Sequence, residues 1–375
     1  MLLACVPPKS SAEALQAAFG LIEDWDRLLE VARLHGMLYL LYRGLLEACP
    51  DAVPAPFLEE LHRLYCVNGD RNLRTSAWLL RILDALEKAG VRAASFKGPL
   101  LAEYAYGDLG MRFVGDLDIL VAEEDIERAR GVLHEQGYEP MWYEDNPAVA
   151  RERFHLILRD RRRRGPLVEL HWRTGPAFVR PALSAEDLLD RTRPTSLLGR
   201  SVQSLDPVDL LMLLSIHGSA HCWKRLEMIA GLAGVVAKGG FGDLVQLIGK
   251  AGSRGCLRRC LVGAALVRDV GGAVLPPVLE AALVADPVAL RLSREVLRIV
   301  AESEGRETEH TPFKQILWRA RTLDTRAAGV RNIILHYSAP RDEDARLVTL
   351  PPRLAWLYYA VRPVRIAASL LLHRA

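Results

Sequence analysis

Between residues 11 and 90 apolar side chains recur every third and fourth position, the period of helices with one buried face. That pattern predicts helices over Ala12–Phe19, Trp25–Leu34, Leu38–Ala48, Phe57–Asn68 and Arg71–Ala89, with Gly90 as the cap of the last. The period then shortens to two. Strands are expected over Val91–Phe96, Gly115–Val121, Phe154–Leu158 and Leu167–Trp172, with one helix, Glu124–Gln136, packed on them and closed by Gly137. From Ala185 onward the pattern is helical again, with breaks at Pro207, Gly239-Gly240, Pro276-Pro277, Pro287 and Pro351-Pro352. The polar stretch Glu302–Thr311 reads as a loop or short linker. These segments make an α+β chain of three parts: a helical region at 1–90, a small mixed-sheet core at 91–180 and a helical domain at 181–375.

The core carries the candidate chemistry. In Gly115-Asp116-Leu117-Asp118-Ile119-Leu120-Val121 the strand period puts both carboxylates on one face, with Cα atoms about 6–7 Å apart. Leu117, Ile119 and Val121 then fall on the opposite, buried face. Two neighbouring acids repel unless a cation lies between them, and hard oxygen ligands so placed suit Mg²⁺ with phosphate oxygens. Upstream, the strand ending at Phe96 meets Lys97-Gly98-Pro99 and a short apolar helix to Tyr106. Such a junction turns backbone N–H groups and a helix N-terminus toward a phosphate, and Lys97 adds a positive charge. Arg112 stands four residues before Asp116. Downstream, Glu169 and His171 share one face of the second hairpin strand, and Glu169 supplies a third carboxylate.

The stretch from Ser95 to Trp172 resembles the nucleotidyltransferase core of the DNA polymerase β type. More narrowly, it resembles the bacterial group of uncharacterised nucleotidyltransferases, which carry a Lys-Gly turn, an Arg before the Asp-x-Asp strand and an acid-Leu-His-Trp strand. Here these are Lys97-Gly98, Arg112, Asp116/Asp118 and Glu169-Leu170-His171-Trp172. The similarity extends to Asp24-Trp25, Arg71-Asn72-Leu73 and the segment His217 to Leu226, and so spans most of residues 20–240. Two positions depart from the pattern. Lys-Gly replaces the superfamily's Gly-Ser turn, and Gly231 stands where the family helix commonly carries an Asp.

The resemblance implies an enzyme that moves a nucleoside monophosphate from an NTP, such as ATP, to a hydroxyl or phosphate of a non-templated acceptor. Asp116, Asp118 and Glu169 would be the catalytic carboxylates and would hold Mg²⁺ or Mn²⁺. Lys97, Gly98, Arg112 and His171 would face the nucleotide, with Lys224 or Arg225 near its phosphates. Families of this kind often accompany natural-product or surface-polysaccharide genes, which points to a small-molecule, peptide or sugar acceptor. The alternatives are a noncatalytic nucleotide-binding or scaffold protein on the same fold, an enzyme extending RNA ends, and a toxin–antitoxin type enzyme modifying a protein.

Composition narrows these. The 375 residues are 50% hydrophobic and 25% charged, with a net charge of +3. That near-neutral balance, without a basic stripe, weighs against a nucleic-acid partner. The run Arg161–Arg164 lies at a hairpin tip without interleaved aromatics and reads as a solvated turn. Six scattered cysteines show no framework, as suits a reducing cytoplasm. Cys256 and Cys260 lack a second ligand pair. His217 and His221 sit one helical turn apart, but Gly218 occupies the place of the glutamate in a zinc-protease motif. No secretory leader and no stretch of ~18–20 uninterrupted apolar residues is expected. Leu354 to Leu372 comes nearest, interrupted by Arg362, Pro363 and Arg365; it is expected to pack on the protein's own helices, with peripheral membrane contact as the alternative.

Overall fold

Helices α1 (Ala12–Phe19), α2 (Trp25–Leu34) and α3 (Leu38–Ala48) lead into α4 (Ala55–Lys88), in a computed structural model that describes residues 1–7, 12–48, 50–141, 153–175, 183–239, 241–302 and 312–372. The side chain of Asp24 caps α2 by accepting from the Arg27 N–H at 2.9 Å. The two helices expected over 57–89 are one, because α4 runs 34 residues straight through Gly69-Asp70. A glycine inside a helix costs about 1 kcal/mol. Tertiary bonds on either side of it offset that cost: Asn68 and Asn72, both buried, donate to backbone carbonyls of the 109–112 loop.

The sheet follows. Its strands are β1 (Ala93–Ser95), β2 (Asp116–Val121), β3 (Tyr138–Pro140), β4 (His155–Asp160), β5 (Leu167–His171), β6 (Arg193–Leu197) and β7 (Arg200–Ser204). They lie in the order β3-β4-β5-β2-β1-β7-β6. The β2–β5 and β1–β7 pairs are parallel and the other neighbours antiparallel. Helix α5 (Gly98–Tyr106) connects β1 to β2, α6 (Ile126–Glu135) precedes β3, and α7 (Ala185–Leu189) precedes β6.

Period two sorts the two faces. Leu117, Ile119 and Val121 point with Val168, Leu170, Leu156 and Leu158 into a core completed by Leu79, Ile82 and Leu86 of α4 and by Ala129 and Leu133 of α6. Asp116, Asp118, Glu169 and His171 occupy the other face. There Ala94, Phe96 and Leu120 join the second and larger core, formed with the C-terminal helices.

The hairpin β6–β7 extends the sheet to Ser204, past the expected core limit at residue 180 and inside a stretch expected to be helical. Only Leu197 and Val202 of its ten residues are buried, so the pattern is too sparse to register as strands. Its turn, Leu198-Gly199, has positive φ at both residues (52° and 76°), as the commonest two-residue hairpin requires.

Helices α8 (Pro207–Ala220), α9 (Leu226–Gly239), α10 (Phe241–Arg254), α11 (Leu257–Gly271), α12 (Pro277–Ala285) and α13 (Pro287–Glu302) complete the large core. The breaks between them fall at Pro207, Pro276-Pro277 and Pro287, as the sequence predicts; residues 303–311 of the expected polar linker, and Gly240, lie outside the described residues. Helices α14 (Pro312–Arg321), α15 (Arg326–Ser338), α16 (Asp342–Leu347) and α17 (Tyr358–Leu372) close the chain. The charges that interrupt the C-terminal apolar segment are anchors. Arg362, 3% exposed, donates to the His336 carbonyl at 3.2 Å and to Asp344 at 3.4 Å, and Arg365 reaches the other oxygen of Asp344 at 2.6 Å. No helix among the described residues is long and apolar enough to cross a membrane.

Candidate active site

The parallel register of β2 and β5 sets Asp118 directly opposite Glu169 and Leu120 opposite His171. Residues that pair across neighbouring strands share a face, so the carboxylates of Asp118 and Glu169 meet. The His171 ring sits between them. Its Nε2 lies 3.1 Å from Asp118 Oδ1 and 3.2 Å from Glu169 Oε2. Ligand atoms of Asp118, Glu169 and His171 all fall within 4.8 Å of one another. Asp116 is on the same face but outside this cluster, half-buried at the start of β2 and paired in register with Leu167. The structure therefore brings together Asp118, Glu169 and His171, where the sequence suggests Asp116, Asp118 and Glu169.

Lys97 completes the cluster. Its Nζ lies 3.2 Å from Asp118 Oδ1 and 5.3 Å from the centroid of the Phe96 ring. Gly98 follows with φ of +57°, and a Cβ there would stand 3.4 Å from the Asp116 carbonyl oxygen. The turn thus needs glycine both for its conformation and for the close approach of β2. Helix α5 begins at this turn with Pro99 in its first turn and no side chain capping its N-terminus. Its free N–H groups and positive dipole end stand beside the acidic strand.

Arg112 approaches from the other side of α5. The 109–112 loop is held by Asn68, which donates to the carbonyls of Gly110 and Arg112, and by Asn72, which donates at 2.6 Å to those of Leu109 and Arg112. These asparagines position the guanidinium. In the sequence Asn68 shows only as a polar residue on the buried stripe of a helix, whereas Asn72 falls in the Arg71-Asn72-Leu73 segment of the family resemblance. The guanidinium lies beside α9, where a Cβ at Gly231 would come within 3.6 Å of Arg112 Nη1. Here the Arg112 Nε is buried with no hydrogen-bond partner among the described residues.

These contacts set the protonation states. Burial opposes ionisation of Asp118, but the Lys97 charge and the His171 bond overcome it and hold its carboxyl far below the usual range. The His171 bond likewise lowers Glu169. Burial disfavours the His171 cation, yet its bonds to Asp118 and Glu169 raise its pKa on balance. Asp116 moves the opposite way, raised by burial and by the charges of Asp118 and Glu169, with Lys97 and Arg112 only partly relieving it. Asp116 is therefore the least compensated of the three carboxylates at the edge of β2. Two clustered carboxylates, a third beside them and an imidazole are a donor set that suits a divalent cation with oxygen preference, Mg²⁺ or Mn²⁺.

The cluster opens into a cavity of about 420 Å³ between the sheet and the C-terminal helices. Lys97, Glu169 and His171 form its sheet wall, and His155, on the same face of β4, adjoins them. His217 and His221 of α8 face each other across 4.4 Å on the helical side. Burial and the Lys97 charge depress both, His221 to about 4, so this pair contributes neutral rings. Lys224 and Arg225 are not among the described residues lining the cavity; Arg225 pairs with Glu227 at 3.2 Å. A second, wider groove of about 850 Å³ opens at Gly115 and is lined by Arg71, Arg74, Trp78, Arg81 and Arg164. The arginine run wraps around Asp160, which accepts from the N–H groups of Arg162, Arg164 and Gly165, so the solvated turn is a built one.

A model of the family described as uncharacterised nucleotidyltransferases matches residues 22–272. The chain belongs to that family. Its nucleotidyl-transfer chemistry agrees with the acidic strand, the Lys97-Gly98 turn and the α+β fold seen here. No curated protein matches the chain. Among solved structures, that of the antibiotic-resistance factor ANT(2'')-Ia is similar at 13% identity, covering 49% of this chain and 94% of that one with a TM-score of 0.36. That likeness is too slight for residue-by-residue comparison.

Proposed function

We propose that this nucleotidyltransferase moves a nucleoside monophosphate from an NTP to a hydroxyl or phosphate on a small, non-templated acceptor, with a divalent cation held by Asp118 and Glu169 and by Asp116 beside them. The observation that carries the reading is the convergence of Asp118, Glu169 and His171, the last two lining a cavity, near an uncapped helix N-terminus. When bound, the metal would neutralise charge on the phosphates and on the attacking oxygen.

The chain's own residues do the rest. The N–H groups of Gly98 and Leu100 in the first turn of α5, with Lys97 and Arg112, hold the β- and γ-phosphates and stabilise charge as pyrophosphate departs. The acceptor oxygen forms a bond to the α-phosphorus while the bond from that phosphorus to the β-bridging oxygen breaks, and pyrophosphate leaves with the electron pair. Glu169, kept ionised by His171, is placed to take the acceptor's proton. His171 orients Glu169 and Asp118 rather than acting as base, since its Nε2 is engaged by both carboxylates at 3.2 and 3.1 Å. The 420 Å³ cavity lies within the size range of small-molecule sites and is walled by protein on the sheet and helix sides, which fits a compact acceptor. The modest net charge fits the same class.

Incubation with each α-labelled NTP, Mg²⁺ and a panel of sugars, peptides and small hydroxylated molecules tests this. Label should pass to an acceptor with wild type and not with Asp118→Ala or Asp116→Ala. Saturable nucleotide binding with no transfer to any acceptor would favour a noncatalytic nucleotide-binding or scaffold role on the same fold.

A further inference from the structure

Across the cavity from the acidic cluster stands a buried guanidinium that forms no ion pair among the described residues. Arg259, in the first turn of α11, is 3% exposed and lines the cavity. Its Nε donates to Thr322 Oγ1 at 3.3 Å, and its Nη1 is buried with no hydrogen-bond partner among the described residues. Among the described residues no carboxylate lies within ion-pair distance of it. The nearby acid, Asp324, accepts from the N–H groups of Leu257 and Arg258 and so is committed to capping α11. Arg319 adds a second positive charge to the same wall, with its Nε donating to the Ala220 carbonyl. Burial disfavours the Arg259 cation, and Cys256, Cys260 and Asp324 only partly relieve this, with Arg319 adding a small further penalty.

A buried cation lacking a partner is costly, and a structure keeps one where something else completes it. We propose that Arg259, supported by Arg319, binds an oxyanion group, a phosphate or carboxylate, carried by the acceptor. The inference rests on the nucleotidyltransferase reading and refines it, since it makes the acceptor bifunctional: a nucleophilic oxygen at Glu169 and an anionic group at the far wall. A guanidinium gives such a group charge-assisted bonds from more than one N–H. The nucleotide's own phosphates are the other source of the same chemistry. Geometry favours the acceptor: of the groups assigned to the nucleotide side Lys97 lines the cavity at the sheet wall, while Gly98, Arg112 and Asp116 are not among its described lining residues, and Arg259 enters from the helices opposite.

The test uses the full chain and three ligand arms at fixed ionic strength: inorganic phosphate, acetate, and ATP with Mg²⁺. Wild type should bind phosphate or acetate saturably, and equally well whether or not ATP is present. Arg259→Met should weaken that binding at least tenfold while leaving the ATP dissociation constant within twofold. Arg259→Lys, which keeps the charge and shortens the fork, should fall between them and serves if the methionine variant does not fold. Asp118→Asn should do the reverse, losing ATP and keeping the small anion. Absence of saturable small-anion binding in wild type overturns the proposal, as does competition between ATP and phosphate accompanied by loss of both in the Arg259 variants. Failure of ATP to bind wild type while phosphate still binds through Arg259 would instead strike the nucleotidyltransferase reading and leave the anion site standing.

Discussion

Two aspartates two residues apart should respond in opposite directions to the same substitution. The Asp118 carboxylate is 3% exposed and accepts from Lys97 Nζ at 3.2 Å and His171 Nε2 at 3.1 Å. Asp118→Asn leaves those two cations without their shared counter-charge. Breaking a buried ion pair from one side costs ~3–5 kcal/mol, and since the asparagine carbonyl still accepts one bond the lower end applies, about 3 kcal/mol. An unfolding entropy of about 2.1 cal/mol/K per residue gives about 0.8 kcal/mol/K for a chain this long, so Tm should fall by about 4 °C. Asp116→Asn instead removes a charge that burial and the fields of Asp118 and Glu169 already disfavour, and Tm without metal should rise. Both substitutions should abolish label transfer. A divalent ion held with Kd on the order of 1 mM and supplied at about 10 mM adds about 1.4 kcal/mol to wild type, roughly 2 °C. Scanning calorimetry of the three proteins with and without Mg²⁺ measures all of this. Equal losses in the two variants would show that Asp118 has no special hold on Lys97 and His171. A Mg²⁺-dependent rise that survives Asp118→Asn would place the ion elsewhere.

Three further outcomes follow from local geometry. Gly231→Ala puts a methyl group at ordinary contact distance, 3.6 Å from Arg112 Nη1 and 3.8 Å from Leu101 Cδ2, inside α9; it should stabilise by about 0.5–1 kcal/mol through helix propensity, and an unchanged or lower Tm would show that the space is not free. Asn72→Ala removes the donor to the Leu109 and Arg112 carbonyls and should cost about 1–3 kcal/mol while raising KM for the NTP more than it lowers kcat; a purely structural role would lower Tm alone. Burial holds His336 at about 4 against the ordinary 6.5, so the unfolded chain takes up its proton first. This contribution is therefore present above about 6.5 and lost as pH falls toward about 4, and melts from pH 7.5 to 4.5 should show a shallower decline in His336→Gln than in wild type.

The acidic strand was legible because its determinants are local. Period two alone places Asp116 with Asp118 and Glu169 with His171, and buries Leu117, Ile119 and Val121 behind them. Period two cannot state which strand lies beside which. The parallel register that opposes Asp118 to Glu169, and so draws His171 rather than Asp116 into the cluster, follows from topology. The same distinction explains the misplaced boundaries. Gly69 carries a local breaking signal that Asn68 and Asn72 override through their bonds to the 109–112 loop, and β6–β7 is a strand pair because β1 offers it an edge, not because its own ten residues demand it.

Charge balance follows that division too. The acids come from one compact segment of sheet, and two of their counter-ions, Lys97 and His171, come from the same segment. Arg259 has no such local partner: it and Glu169 stand 90 positions apart in the chain and line a common cavity only through the packing of the C-terminal helices on the sheet face. A cavity with an acidic wall that favours cations and a guanidinium wall that favours anions selects a ligand carrying both requirements at a fixed separation. Orientation of the acceptor oxygen toward the α-phosphorus would then come from the far end of the acceptor, and truncating its anionic group should lower kcat as well as raise KM, because binding energy made at a distance is what aligns the reacting atoms. An acceptor whose desanionic analogue turns over at the same kcat, with only KM raised, would show that the Arg259 wall contributes affinity without alignment.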